Sequence, residues 1–206
     1  MILFLLRHAL TPITGKKLTG WLPGISLSEE GISQAKQAAA RMADVPFSAV
    51  YSSPLERCVE TAEFVSAACK KKVQKIEGLG EIRYGEWQGK SMASLYKSRA
   101  WKQLKARPAD FRFPGGETIR EAQVRGMTEI EKLRSKHKEQ AILVCSHADM
   151  IRVLVAGYLG LPLDLYDRIS IGPATTTVLH MTETVSRVLK MADSGSFEDI
   201  ISRMKT

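Results

Sequence analysis

Apolar positions follow two rhythms along this chain. Short unbroken runs ("MILFLL" at 1–6, "FSAVYSS" at 47–53, "AILVC" at 141–145) alternate with longer stretches whose apolar residues recur at helical spacing. An unbroken run of that length predicts a strand covered on both faces, as in a parallel sheet. In "SEEGISQAKQAAARMA", Ile32, Ala35, Ala39 and Met42 fall on one helical face, with Ser28 as N-cap and two glutamates in the first turn. "SPLERC" predicts another helix start, with Ser53 as N-cap, Pro54 at the first helical position and Glu56 closing a capping box. That places Arg57 in the first turn. "VQKIEGL" predicts a third, shorter strand, and "SMASLYKSRAWKQLKAR" one basic helix held by Met92, Leu95 and Leu104 and ended by Pro108. Residues 119–137 predict a long helix with Ile119, Ala122, Ile130 and Leu133 on its apolar face. "DMIRVLVAGYL" predicts a further helix, stopped by Gly160 and Pro162, and "TTTVLHM" with "SRVLKM" a hairpin-like pair of strands. Such alternation predicts an α/β fold of three layers, with a mostly parallel central sheet and helices on both faces. At 206 residues the chain fits a single domain, 1–206.

Composition narrows the function classes. Apolar residues make up 44% of the chain, and no run is long enough to span a bilayer. No leader pattern of basic, apolar and small residues opens the sequence, so the expected location is the cytoplasm, away from membranes. The three cysteines, Cys58, Cys69 and Cys145, form no C-x-x-C pair and are expected as free thiols. Lys and Arg number 30 against 22 Asp and Glu, a net charge of +8. Much of the excess is local: between 87 and 109 there is no acid, but there are Lys90, Lys97, Arg99, Lys102, Lys105 and Arg107. No zinc-finger spacing, RNA-binding aromatic motif or leucine zipper accompanies these cations, so nucleic acid is not the expected partner. A small anionic substrate is. The sequence leaves a homo-oligomer open.

The chemistry sits where the apolar runs end. "MILFLLRH" ends in Arg7 and His8, the run at 47–53 leads into the helix start carrying Arg57, and "AILVCSH" ends in His147. In a parallel sheet these ends converge on one rim, where α/β folds bind ligands. Two arginines, two histidines and a helix N-terminus make an anion site, because guanidinium forks match phosphate oxygens. A metal is not expected. There is no H-E-x-x-H or H-x-H, no cysteine partner, and the adjacent arginines would repel a cation.

These residues carry a family resemblance. "LLRHALT" resembles the R-H-G-x-T signature of the histidine phosphatase superfamily, the phosphoglycerate-mutase-like proteins. "SSPLERCVETA", "GEIRYGEWQG", "PGGET" and "VCSHADMIR" resemble that family's second arginine motif, acid motif, conserved turn and second-histidine motif, in family order. The resemblance implies that His8 is the nucleophile, that Arg7, Arg57 and His147 clamp the phosphoryl group, and that Glu81 is the proton donor. It further makes Thr11 a residue that either touches phosphate or orients the loop by a local hydrogen bond, and places Thr14, in place of a family asparagine, among the phosphate contacts. Tyr84, three residues after Glu81, either borders the pocket or packs in the core, and Arg83, standing where the phosphatase branch often has an acid, either faces the mouth and favours a more anionic substrate or points outward as surface charge. Residues 88–115 fall where the family carries a helical substrate-covering segment. Two family glycines are Ala9 and Ala148 here, expected to add methyl groups near the phosphate. The chain is short between the acid motif and the second histidine, which favours a phosphatase for a small acidic phosphorylated metabolite, with no metal or cofactor. A phosphomutase of the cofactor-dependent phosphoglycerate mutase type, using bisphosphoglycerate, is the alternative, and a non-catalytic phosphate-binding module a third.

Overall fold

The computed structural model describes residues 1–204, whose strands pair in the order β3-β2-β4-β1-β5-β6. Here β1 is Ile2–Arg7, β2 Phe47–Ser52, β3 Val73–Lys75, β4 Ala141–Ser146, β5 Thr176–Met181 and β6 Ser186–Asp193. The first four are mutually parallel, and β5 and β6 close one side as an antiparallel hairpin. The helices are α1 (Glu29–Arg41), α2 (Glu56–Cys69), α3 (Met92–Lys97), α4 (Arg99–Ala106), α5 (Ile119–Lys136), α6 (Ala148–Leu159) and α7 (Glu198–Met204).

The apolar run of β1 is unbroken because both of its faces are covered. Leu3 and Leu5 pack with Ile119 and Ile130 of α5 and with Ile151 and Leu154 of α6. Phe4 and Leu6 point the other way, into Ala35 of α1, Ala62 and Val65 of α2, and Ile200 of α7. Each such buried aliphatic or aromatic side chain stabilises the fold by roughly 1.5–3 kcal/mol. This is the three-layer arrangement with helices on both faces.

Register then fixes the rim. Arg7 lies opposite Ser146, and Ser52 opposite Cys145. The ladder continues one residue beyond the strands: His8 N–H donates to Ser146 O at 2.9 Å and Ser53 N–H to Cys145 O at 2.9 Å. Residues 8, 53 and 147 therefore leave three adjacent strands side by side.

Local chemistry departs from the sequence expectation in three places. First, α2 begins at Glu56 with Leu55 as N-cap and no side-chain cap bond, so Ser53 does not cap it. The Ser53 hydroxyl lies 2.8 Å from His147 Nε2 and accepts from Leu55 N–H, ahead of the helix, at 3.3 Å, and the Glu56 carboxylate accepts from Gly24 N–H at 3.0 Å. Arg57 still falls in the first turn. Second, the basic helix is two helices. Ser98 ends α3 by donating to Leu95 O at 2.8 Å, and starts α4 by accepting from Trp101 N–H at 3.1 Å. Its extended backbone cannot continue either helix. Third, Ile32 is 38% exposed, and Ala38 takes its place on the buried face of α1. Ser28 does cap α1, accepting from Gly31 N–H.

Candidate active site

The site is built from the strand ends upward. His8 follows β1, 6% exposed, and its Nδ1 lies 2.8 Å from the carbonyl oxygen of Ala9. A carbonyl only accepts, so Nδ1 carries the proton and Nε2 keeps its lone pair. Burial, then Arg57 and Arg7, lower the His8 pKa to about 3, so the ring is neutral at ordinary pH. Its Nε2 lone pair is therefore free of a competing proton.

His147 follows β4, and its ring centroid lies 5.2 Å from that of His8. Its Nδ1 sits 3.3 Å from Arg57 Nη2, which can only donate, so Nε2 carries the proton and donates to Ser53 Oγ. Burial, then Arg57, hold His147 well below the usual histidine range. Cys58, expected as a plain structural thiol, also touches this ring, Sγ to Nε2 at 3.3 Å.

Arg57 is wholly buried and is the largest of the fully buried side chains. Its Nη2 also donates to Gly20 O at 2.7 Å, while Nε and Nη1 have no partner among the described residues. Arg7 is similar: Nη1 donates to Ile171 O at 2.6 Å and Nε has no partner among the described residues. Burial lowers the Arg7 pKa, opposed by Glu81. Buried guanidinium donors left unpaired are expensive unless an anion joins them. Three such nitrogens beside two neutral imidazoles form a receptor for a compact oxyanion.

Glu81 is 8% exposed, and its Oε1 accepts from Ile82 N–H at 3.0 Å and from Met150 N–H, in the first turn of α6, at 3.2 Å. Burial, then Asp149, raise its pKa to about 7, against the Ile82 bond, Arg57 and Arg7. Around neutrality it can both hold and release a proton. The surrounding backbone is pinned firmly. Arg125 of α5 donates to Gly80 O at 3.2 Å and Glu81 O at 3.2 Å, and Trp21 Nε1 to Glu81 O at 2.5 Å. The "PGGET" turn clamps the far side, where Glu117 N–H donates to Arg83 O at 3.0 Å and the Glu117 carboxylate accepts from Arg83 N–H at 2.9 Å. A Cβ on Gly116 would come 2.1 Å from Arg83 O, so only glycine allows this approach.

The remaining predicted residues divide. Thr11 and Thr14 bond to each other, Oγ1 to Oγ1 at 2.9 Å, and Thr11 N–H donates to Thr14 Oγ1, so both brace the loop after His8. Tyr84 is buried, packs edge-on against Phe113 and donates its hydroxyl to Asp149 Oδ2 at 2.6 Å. Arg83 turns outward: it pairs with exposed Glu77 at 2.6 Å and lies over the Trp21 ring. Its charge is spent there. Ala9 and Ala148 have ordinary negative φ, so neither position needs glycine for its backbone; Ala9 is fully buried in the core beside α1 and α2.

Sequence reasoning missed Arg125, Asp149 and Arg152. Asp149 and Arg152 stand one turn apart at the start of α6 and pair at 2.7 Å. A carboxylate and an arginine at that spacing directly after a strand-end histidine were the available signal. Among the described residues no helix is long and apolar enough to cross a membrane, and no group of three or more His, Cys, Asp or Glu is placed to hold a metal.

Comparison with known proteins bears on this geometry. The family model of the histidine phosphatase superfamily (branch 1) matches residues 3–194. Phosphoserine phosphatase 1 of Hydrogenobacter thermophilus is 29% identical over 194 residues, covering 92% of this chain and 90% of its own. Phosphoglycerate mutase-like protein 4 of Arabidopsis thaliana is 33% identical over 144 residues, 68% of this chain and 62% of its own. Among solved structures, Bacillus stearothermophilus YhfR shares the fold with TM-score 0.87 at 24% identity, covering 93% of this chain and 96% of its own. A mutant phosphoserine phosphatase from Entamoeba histolytica in complex with phosphoserine superposes with TM-score 0.83 at 25% identity, covering 94% of this chain and 97% of its own.

Proposed function

Because the chain belongs to the histidine phosphatase superfamily and is a phosphatase, we propose that it hydrolyses small phosphomonoesters through a phosphohistidine formed on His8, with Glu81 as the proton donor. The observation that carries this reading is the set of buried, unpartnered nitrogens on Arg7 and Arg57 beside the neutral His8 ring.

The steps follow from the groups present. His8 Nε2 attacks phosphorus, the N–P bond forms and the P–O bond to the alcohol breaks. Glu81 gives its proton to the departing alkoxide. Water then attacks the phosphohistidine, Glu81 takes a proton from it, and phosphate leaves with His8 restored. Arg7 and Arg57 balance the charge of the transferred group throughout. His147 works beside them, its Nδ1 holding Arg57 in place. On this reading no metal or cofactor takes part, because the guanidinium groups supply the positive charge a metal would. The relatives named for phosphoserine support phosphatase chemistry without naming the substrate of this chain.

The test is phosphate release from p-nitrophenyl phosphate in excess chelator. Wild type should remain active, and Arg57→Ala should lose about 10²–10³-fold in kcat, the usual cost of removing an oxyanion donor. Loss of wild-type activity to the chelator contradicts the reading. So does interconversion of phosphoglycerates stimulated by bisphosphoglycerate, which points to a mutase.

We further infer that the segment around α3 and α4 covers the substrate and steers it. Lys97, Arg99 and Lys102 are all exposed there. Their collective field draws a phosphate dianion inward, an effect that salt screens. Replacing all three by glutamine should raise KM by roughly threefold to tenfold at low salt and flatten its salt dependence. Unchanged KM at both salt levels would rule the steering out.

A further inference from the structure

A cavity of about 290 Å³ opens beside the acid segment, walled by α3, α4 and the start of α6. Its size suits a small molecule. Tyr84, three residues beyond Glu81, and Asp149, two beyond His147, line it and bond to each other, and Met150, next to Asp149, donates its N–H to Glu81 Oε1 at 3.2 Å. On the phosphatase reading, an ester with its phosphate on Arg7 and Arg57 sends its alcohol portion this way.

The wall chemistry is specific. Five aromatic rings face the space: Tyr84, Tyr96, Trp101, Phe113 and Tyr166. Four of them form two pairs, Tyr96 on Trp101 at 4.8 Å and Tyr84 on Phe113 at 5.0 Å between centroids, and Trp87 packs behind both pairs. The cavity also holds two cations, Lys105 and Arg152, and each is already matched. Lys105 pairs with Asp167. Arg152 Nη1 pairs with Asp149 at 2.7 Å and its Nε donates to Ile169 O at 2.8 Å. Asp149 spends its other oxygen on Tyr84. A carboxylate or second phosphate entering here meets no unpaired cation: each positive charge is already balanced by an aspartate, so net attraction does not repay the hydration the newcomer loses. An ammonium group faces the same obstacle.

Resting on the phosphatase reading, we propose that this cavity is the leaving-group subsite and that it selects an uncharged alcohol bearing a ring. The acidity expected of the substrate then resides in the phosphate alone. Trp101 and Tyr96 determine the specificity by stacking on the ring, and the two ion pairs leave no net charge to favour a charged competitor.

The experiment compares kcat/KM for four esters of aliphatic alcohols: 2-phenylethyl phosphate, ethyl phosphate, 3-phosphoglycerate and O-phosphoserine. Phenylethyl phosphate should exceed each of the others by roughly tenfold or more, the size expected for burying one ring. Trp101→Ala should cut its advantage over ethyl phosphate by roughly tenfold. Because Trp101 also stacks on Trp87, Tyr96→Ala provides a second variant, at a residue that is 54% exposed. It should reduce the same ratio severalfold. Asp167→Asn, which frees Lys105, should raise kcat/KM for 3-phosphoglycerate by roughly fivefold. A preference for 3-phosphoglycerate or phosphoserine over the phenylethyl ester, with phosphohistidine still forming on His8, overturns the proposal. So does an unchanged phenylethyl-to-ethyl ratio in both ring variants. No hydrolysis of any ester together with no phosphohistidine overturns the phosphatase reading itself, and this proposal with it.

Discussion

Replacing His8 by alanine is expected to bring phosphate release down to background, a loss on the order of 10⁵-fold or more, as when other covalent nucleophiles are removed. The size follows from what the side chain does alone. Nδ1 is committed to the Ala9 carbonyl, and burial with Arg57 and Arg7 keeps the ring unprotonated, so Nε2 has no other task. His147 cannot substitute, because Arg57 and Ser53 occupy its two nitrogens. Arg7 and Arg57 remain in the variant, so it should still bind inorganic phosphate. Binding with no turnover separates loss of the nucleophile from loss of the site. A variant that keeps more than about 1% of wild-type kcat/KM would mean that another group attacks phosphorus.

Glu81→Gln is expected to lower kcat/KM by about 10²–10⁴-fold for esters of aliphatic alcohols, whose alkoxides need a proton to leave. For p-nitrophenyl phosphate the loss should be far smaller, because that leaving group departs without one. The pH profile carries a second signature. With its pKa raised to about 7 by burial and by Asp149, the acid is protonated below that value. Wild-type kcat/KM should therefore fall as pH rises through about 7, and the glutamine variant should lack that limb. His8, lowered to about 3, stays neutral above that pH and adds no limb near neutrality. The same shift acts on stability. The native state keeps a proton that the unfolded chain has lost, so Glu81 removes stability as pH climbs from its ordinary 4.5 to about 7. Urea titrations at pH 5 and 8 should show that loss in wild type and not in Glu81→Gln. Equal losses in both proteins would assign the raised pKa elsewhere.

The legible parts of the sequence were those whose cause is local or periodic. The run "MILFLL" reads as a two-sided strand because both faces of β1 are packed. Arg7, His8 and His147 were found because a polar residue directly after such a run must leave the core at the strand end. Register then brings residues from positions 8, 53 and 147 together. The features that escaped depend on distant partners. Ser53 has every local mark of an N-cap, but its hydroxyl is claimed by a histidine 94 residues away. Arg125 sits in an ordinary amphipathic helix, and nothing nearby reveals that it grips the backbone of Glu81. Asp149 reads as a favourable acid in the first turn of α6 until Tyr84 and Arg152 are seen to close on it. The cations between 90 and 107 point to an acidic substrate, but the sequence hides that Lys105 is already balanced, because its partner Asp167 lies 62 residues further along the chain.

The central claim is a covalent intermediate on His8. Wild-type protein mixed with a ³²P-labelled phosphomonoester, quenched in alkali within a turnover and digested, should carry label on the peptide containing His8. The bond should survive base and break in acid, as a phosphoramidate does, and His8→Ala should carry none. Steady hydrolysis by wild type with no labelled peptide, or label on any other residue, would contradict the account.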